Sequence, residues 1–158
     1  MDSFEDWYRK VHPRVISTLA AALGSPEAAA DATADAFVKA YRHWDRVSRM
    51  ERPDGWVYRV AFNEAQRHHR RRIAEAVAFS EGPPSPTHRP AGVGALLEFA
   101  SLVEGLPERM RHVVALRHVA DLTESEIGTV LGITRGTVSS TLRDAYRRIE
   151  QVVETGRD

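Results

Sequence analysis

The 158-residue sequence contains no cysteine. Disulfide bonds, thiolate zinc sites and thiol-based redox sensing are therefore excluded for these residues. The histidines are scattered, and the adjacent pair His68 and His69 points to different faces of any helix, so the two cannot chelate one ion together. We expect no metal site and no cofactor.

Long apolar runs are also missing. No stretch approaches the roughly 20 apolar residues that span a bilayer. The first ten residues, MDSFEDWYRK, carry acids and aromatics in place of the apolar core of a secretion signal. We therefore expect a cytoplasmic protein without a membrane partner. The sequence shows no P-loop, nucleophile elbow or paired catalytic carboxylates, so we do not expect an enzyme.

Neither sign of charge is in excess, because 22 Lys and Arg residues face 22 Asp and Glu residues. A protein that binds DNA alone usually has a strongly basic domain, and neither half of this chain is strongly basic. Any affinity for DNA must therefore come from local basic patches or be supplemented by a partner.

Proline and glycine are concentrated in one place, residues 80–95, which contain four prolines and three glycines. Such a segment cannot form a helix or a central strand, and it predicts an extended, flexible linker. A loop of this length is uncommon inside a compact domain. The sequence therefore predicts two small domains, residues 1–79 and 96–158.

Both halves have the apolar periodicity of helices, and we predict an all-α fold. In the first half Phe37, Ala40, Tyr41, Trp44 and Val47 form one apolar stripe. The tryptophans at 7, 44 and 56 are expected in the core, as is Phe62. The predicted helices cover Phe4–Leu23, a segment beginning at Pro26 that includes 31–47, a segment from Pro53 through the basic run 67–72, and then 96–104, 108–119, a short helix capped by Thr123, and 134–154.

Residues 123–149 have the pattern of a helix-turn-helix. Thr123 and Glu126 form a predicted capping box at the start of its first helix. Gly128 has no side chain and allows the two helices to approach closely, and Gly132 suits a turn that needs a positive φ. The inner stripe of the second helix is predicted to contain Val138, Leu142, Ala145 and Ile149.

The opposite face of the second helix carries the chemistry for DNA. Taking 100° per residue, Ser140, Arg143 and Arg147 point away from the core, together with Asp144. Arginines bind guanine edges or phosphates, and hydroxyl groups do either. Arg135, at the start of the helix, is a candidate phosphate contact. The alternative is a helical hairpin with an ordinary solvated face.

These motifs together resemble the extracytoplasmic-function (group IV) sigma factors of the sigma-70 family. The matching residues cover nearly the whole chain in the family's order. In the second half they are LPER at 106–109, VVALR at 113–117, LTESEI at 122–127, LGI at 131–133 and GTV at 136–138, followed by Ser140 and Leu142. In the first half they are Asp31, Asp35, AF at 36–37, KAY at 39–41, Trp44, Trp56, YRVA at 58–61, Asn63 and RRR at 70–72.

The resemblance implies a factor that binds core RNA polymerase, at the clamp of β′ and the flap of β, and directs it to promoter DNA. It implies that residues 1–79 bind polymerase and the −10 element, with base capture near the loop 49–55, and that residues 96–158 bind the −35 element. An anti-sigma factor is a further possible partner. The implied polymerase-binding residues are Asp31, Asp35, Lys39 and Arg42. The implied −10 residues are Arg59, Asn63, Arg67, Arg70 and Arg71. The −35 candidates are Arg135, Thr137, Ser139, Ser140, Arg143 and Arg147.

The chain departs from the family's pattern at several positions. Ala34 stands where the family usually has a glutamine that helps to dock the clamp. Ser139 and Thr141 replace basic residues of the recognition helix, and Asp144 replaces another. Two other functions therefore remain open: a stand-alone helix-turn-helix regulator, and a sigma-like decoy that binds polymerase without opening promoters.

Overall fold

The computed structural model describes residues 3–79 and 95–156, and within these ranges every regular element is a helix. The all-α prediction is confirmed. None of these helices is long and apolar enough to cross a membrane. The predicted linker, residues 80–95, lies outside the described residues except for Ala95. The helices are α1 Phe4–Leu23, α2 Pro26–Arg42, α3 Trp44–Val47, α4 Pro53–Ala78, α5 Ala95–Val103, α6 Glu108–His118, α7 Glu124–Leu131 and α8 Arg135–Thr155.

Short polar side chains determine where four of the helices begin. Each accepts a hydrogen bond from the backbone N–H three residues further on, which satisfies a donor that has no partner within the helix. Two helices end at a single glycine in the left-handed conformation. Gly24 after α1 has a φ of 66°, and Gly132 after α7 has a φ of 69°. The four capping residues are Ser3, Ser25, Thr123 and Thr134.

The prediction of one continuous helix across residues 31–47 is wrong. α2 ends at Arg42, His43 leaves the helical conformation with φ −115° and ψ 27°, and α3 begins at Trp44. The inward assignment of Tyr41 is also wrong, because this side chain is 67% exposed. Ala40 is fully buried, and its neighbour Tyr41 is turned about 100° around the helix. Its ring therefore lies at the rim, edge-on to Phe4 with 5.1 Å between ring centroids.

The first half packs α1, α2 and α4 around a core of aromatic and small side chains. Trp7 and Phe37 are buried with ring centroids 5.4 Å apart. The indole N–H of Trp7 donates to Asp54 Oδ1 at 2.8 Å, which ties α1 to the start of α4. Phe62 is buried, as predicted.

The second half contains the predicted helix-turn-helix, formed by α7 and α8 and supported by α6. Val138, Leu142 and Ala145 are buried along α8, as the sequence pattern predicted. Gly128 allows α7 to pack closely against the turn that follows it. A Cβ atom at this position would lie 2.7 Å from the carbonyl oxygen of Ile133.

The two halves are packed against each other, a feature that nothing in the sequence pattern indicated. α1 contacts α6, and α4 contacts α7. The side chain of Arg111 donates from Nε to the carbonyl oxygen of Ala22 at 3.3 Å. The buried apolar residues of both halves form one contiguous cluster.

We predict that Gly128→Ala destabilises the protein, because the added methyl group must displace the backbone of the turn. Overpacking of this kind costs about 1–3 kcal/mol. Gly136→Ala is the matched control, since a Cβ there meets nothing closer than Thr134 Oγ1 at 3.9 Å, and alanine favours a helix over glycine by up to about 1 kcal/mol. Urea unfolding measures both variants. Equal stability of Gly128→Ala and the parent chain contradicts the close-approach argument.

Candidate nucleic-acid and polymerase interfaces

The basic face of α4 is a straight line of exposed side chains. Arg59, Asn63 and Arg67 follow one another at intervals of four residues, so they lie on one face of the helix, and all three are exposed. The Asn63 amide makes no hydrogen bond to the residues that the structure describes. Arg70 and Arg71 continue the line toward the end of the helix, and both are exposed.

The outward face of α8 has the same character. Ser140, Arg143 and Arg147 are exposed. Arg143 has no acidic partner among the described residues, whereas Arg147 lies 3.9 Å from Asp144. Arg135, in the first turn, lies 3.7 Å from Glu124 and is also exposed.

Two of the predicted −35 residues are turned toward the helix-turn-helix itself. The Ser139 hydroxyl donates to the Glu124 carboxylate on α7. The Thr137 hydroxyl lies 2.9 Å from that of Thr134, and its backbone N–H donates to the same oxygen. Both side chains are partly buried. Their hydrogen bonds stabilise the turn, which leaves Ser140 as the more accessible hydroxyl.

The exposed face of α2 combines charge with apolar area. Asp31 and Arg42 are exposed, and the side chain of Asp35 is 49% exposed. Between them lie Val38 and Tyr41, which are 48% and 67% exposed. The sequence analysis missed both as surface residues. Their helical spacing from Asp31 and Asp35 could have indicated that they are exposed, but the apolar stripe assigned Tyr41 to the core.

A charged network that the sequence analysis did not anticipate joins α2 to α4. Glu64 is 5% exposed, and its Oε1 accepts hydrogen bonds from Lys39 and from Arg67, the latter at 3.1 Å. One turn along α4, His68 Nε2 lies 2.8 Å from Asp35 Oδ2. Two predicted polymerase-binding residues, Asp35 and Lys39, are therefore held by side chains of the predicted DNA-binding helix.

The electrostatics of this network favour an ionised Glu64. Burial alone would raise the pKa of this carboxyl, but the hydrogen bond and charge of Lys39, together with Arg67, outweigh burial and lower it. One oxygen or nitrogen each from Asp35, Glu64 and His68 lies within 4.8 Å of the others. Because Lys39 and Arg67 already neutralise Glu64, the group is explained as a network of ion pairs and hydrogen bonds.

A shallow, open cleft of about 640 Å³ lies where the two halves meet. Arg59 of α4 lines one side of it. The start of α8, with Arg135 and Thr137, lines another side, and Arg109 of α6 also faces the cleft. Residues that the sequence assigns to two different DNA elements therefore share one cleft.

Comparison with known families gives two matches in chain order. Residues 7–74 match the family described as Sigma-70 region 2. Residues 102–151 match Sigma-70, region 4. The first match contains the exposed faces of α2 and α4, and the second contains the helix-turn-helix.

Similar curated proteins carry related names. The RNA polymerase sigma-E factor of Streptomyces avermitilis is 27% identical over 156 residues, covering 96% of this chain and 86% of that protein. The ECF RNA polymerase sigma factor SigW of Bacillus subtilis is 26% identical over 165 residues, covering 93% of this chain and 88% of that protein.

Solved structures share the fold over the same extent. The sigma factor RpoE of Bartonella quintana, in complex with the anti-sigma factor NepR, has a TM-score of 0.80 at 18% identity and covers 96% of both chains. CnrH, in complex with the cytosolic domain of CnrY, has a TM-score of 0.66 at 20% identity, covering 96% of this chain and 88% of that one.

We predict that Glu64→Gln destabilises the chain, because the buried partner of Lys39 and Arg67 loses its charge. Hydrogen bonds to charged groups are worth about 1.5–3 kcal/mol, and Lys39 is 41% exposed, so hydration recovers part of that loss. We expect about 1–2 kcal/mol in urea unfolding. The control is Glu75→Gln, an exposed glutamate on the same helix, which should change little. Equal losses in both variants contradict a structural role for the network.

Proposed function

The chain belongs to the sigma-70 family, among its extracytoplasmic-function sigma factors, and from this premise we propose which of its surfaces bind RNA polymerase and which bind the promoter. As a sigma factor it is not an enzyme in its own right. It binds core RNA polymerase and directs promoter-specific initiation of transcription.

We propose that the exposed face of α2 is the polymerase-binding surface and that it meets the clamp of β′. The main observation in support of this surface is that Val38 and Tyr41 are exposed on the same helix as the charged residues Asp31, Asp35 and Arg42. An apolar centre with a polar rim is typical of protein interfaces, in which tyrosine and arginine are enriched. Lys39 supports this surface from its position beside Glu64. We also propose that the second half of the chain contacts the flap of β.

The exposed line on α4 is the proposed contact to the −10 element. The Asn63 amide offers both a donor and an acceptor, which suits the edge of an unpaired base. Arg59 and Arg67 flank it on the same face. Arg70 and Arg71 extend the line along the DNA backbone, where arginines neutralise phosphates.

The outward face of α8 is the proposed contact to the −35 element. Arg143 carries the strongest case for a base contact, since it is exposed and has no acidic partner among the described residues. Ser140 and Arg147 lie beside it. Arg135 sits at the start of the helix, where a phosphate contact is favourable.

We further propose that an anti-sigma factor binds this chain and that the chain works in the cytoplasm, where RNA polymerase acts. Both structural relatives were solved in complex with a second protein, in one case the anti-sigma factor NepR and in the other the cytosolic domain of CnrY. The apolar area at Val38 and Tyr41 offers such a partner the surface that polymerase uses.

The deciding experiment is run-off transcription on a promoter library with purified core polymerase. We expect transcripts that depend on this chain, and little sequence-specific binding to duplex promoter DNA by the chain alone. Asn63→Ala should keep polymerase binding but lose permanganate reactivity of unpaired thymines. Gln66→Ala, another exposed amide on α4, should behave like the parent chain.

Two other results identify the alternative functions. Tight, specific binding of the isolated chain to a palindrome indicates a dimeric helix-turn-helix regulator. Polymerase binding without any transcript from the library indicates a decoy. A normal open complex with Asn63→Ala contradicts the role assigned to that residue.

We predict that alanine at Arg143 or at Arg147 relaxes the base preference at the −35 element. A bidentate base contact is worth about 1–3 kcal/mol of discrimination, whereas loss of a phosphate contact weakens all sequences about equally. Arg148→Ala, an exposed arginine turned to another side of α8, is the control. Selection of preferred promoters by holoenzyme measures the effect. Unchanged preferences for both variants place the specificity elsewhere.

A further inference from the structure

We propose that Asp144 determines base specificity at one position of the −35 element, where it selects cytosine by accepting a hydrogen bond from the cytosine amino group. Arg147, on the same face of α8, donates to the guanine of that base pair. The inference rests on the function proposed above for the outward face of α8, and it gives one position of the promoter a base identity.

The structure of α8 does not account for a carboxylate at this position. Asp144 lies in the middle of the helix, away from the first turn, where an acidic side chain caps the helix or interacts favourably with its dipole. Aspartate is also among the weaker helix formers. Its side chain is 54% exposed, and its one ion-pair partner among the described residues, Arg147, lies 3.9 Å away, which is too long for a hydrogen bond. Exposed ion pairs of this kind contribute little to stability, so the carboxylate remains available to a ligand.

The outward face of α8 is divided into a row of hydrogen-bond acceptors and a row of donors. Ser140 and Asp144 are separated by one helical turn and form the acceptor row, and both are exposed. The Ser140 hydroxyl donates its proton to the carbonyl oxygen of Thr137 at 3.1 Å, so this side chain offers its oxygen lone pairs to a ligand. Arg143 and Arg147, also exposed and one turn apart, form the donor row beside it.

A guanine–cytosine base pair is complementary to these two rows in the major groove. Guanine presents two acceptors there, N7 and O6, and cytosine presents the donor amino group at N4. Arginine donates to the guanine edge, and a carboxylate accepts from the cytosine amino group. Because Asp144 and Arg147 are close to each other without being hydrogen-bonded, each keeps the group that its own base requires.

The carboxylate discriminates between bases mainly through those that it repels. Guanine and thymine present acceptor oxygens in the major groove, and a carboxylate that loses its water there without gaining a donor is destabilised. Adenine has an amino donor, but the N7 acceptor beside it would face the second carboxylate oxygen. Cytosine is the base whose polar group in this groove is a donor alone. Asp144 therefore favours cytosine by penalising the other three bases, which is a common route to specificity.

Selection of bound DNA from a library with a randomised −35 element, by holoenzyme assembled from core polymerase and the full chain, tests the assignment. The parent chain should prefer cytosine at one position, and Asp144→Ala should reduce that preference about tenfold. Asp144→Asn should move the preference at the same position toward adenine, because an asparagine amide pairs with N6 and N7 of adenine. A base preference that is unchanged in both variants overturns the proposal.

The matched control is Glu150→Gln, which changes an exposed acid of the same helix outside the two rows. Like Asp144→Asn, it removes one negative charge, so both variants should bind DNA of any sequence more tightly at low salt. Only Asp144→Asn should change the base preference. Circular dichroism confirms the helix content of each variant. The same change of preference in Glu150→Gln indicates a general effect of charge and overturns the proposal.

Modified promoter DNA tests the hydrogen bond itself. N4-methylcytosine at the selected position replaces the amino hydrogen that faces the groove, and it should weaken binding of the parent holoenzyme, measured by fluorescence anisotropy. Holoenzyme with Asp144→Ala should lose much less, since its contact to that amino group is already absent. Equal losses for the two holoenzymes overturn the proposal.

Run-off transcription separates this inference from the proposed function. Transcripts that depend on the chain, without a cytosine preference that Asp144 controls, keep the sigma function and remove the role of Asp144. Absence of transcripts removes the sigma function, whereas the base preference of bound DNA is still measured and decides the role of Asp144 by itself.

Discussion

Helix α4 has to satisfy three environments at once, and the rest of the structure depends on how its residues are distributed among them. Val57, Tyr58 and Ala61 pack inside the first half. Phe62 is buried against α6. Asn63, one residue further on, is exposed and opens the face that we assign to DNA. Since successive residues are turned about 100° around a helix, a shift of one position would bury the amide and expose the aromatic ring. The candidate DNA surface is therefore fixed by packing on its other sides.

The same helix links the two surfaces proposed for the first half. Glu64, buried between α2 and α4, holds Lys39 from one helix and Arg67 from the other. A buried carboxylate is favourable only when it is fully paired, so the relative position of the two helices is specified as well as stabilised. The network explains how two surfaces on different helices stay in one fixed register.

Much of the fold follows from local chemistry in the sequence. What the sequence pattern does not indicate is how each helix face is covered by its neighbours. Thr123, Thr134 and Gly132 were assigned correctly because a cap or a positive φ depends on neighbouring residues alone. The burial of Phe62 was also predicted, since periodicity indicates which residues turn inward. Periodicity does not indicate what covers them, so the contact between the rings of Phe62 and His112 could not be predicted. Tyr41 was misassigned because it is turned about 100° around α2 from the buried Ala40 and reaches the rim of the core. The candidate site was predictable as a set of faces, but not as one shared cleft.

The charge distribution explains why such a chain needs its partner. Several arginines of the candidate DNA faces are paired with acids of the same chain: Arg67 with Glu64 at 3.1 Å, Arg135 with Glu124 at 3.7 Å and Arg147 with Asp144 at 3.9 Å. Affinity for DNA grows with the number of phosphates neutralised, so each pair lowers what one domain achieves alone. Two weak domains become an effective binder when a third surface fixes both beside their elements and raises their effective concentration. We therefore expect a neutral chain of this kind to bind promoter DNA weakly on its own, with specificity arising in the complex with polymerase.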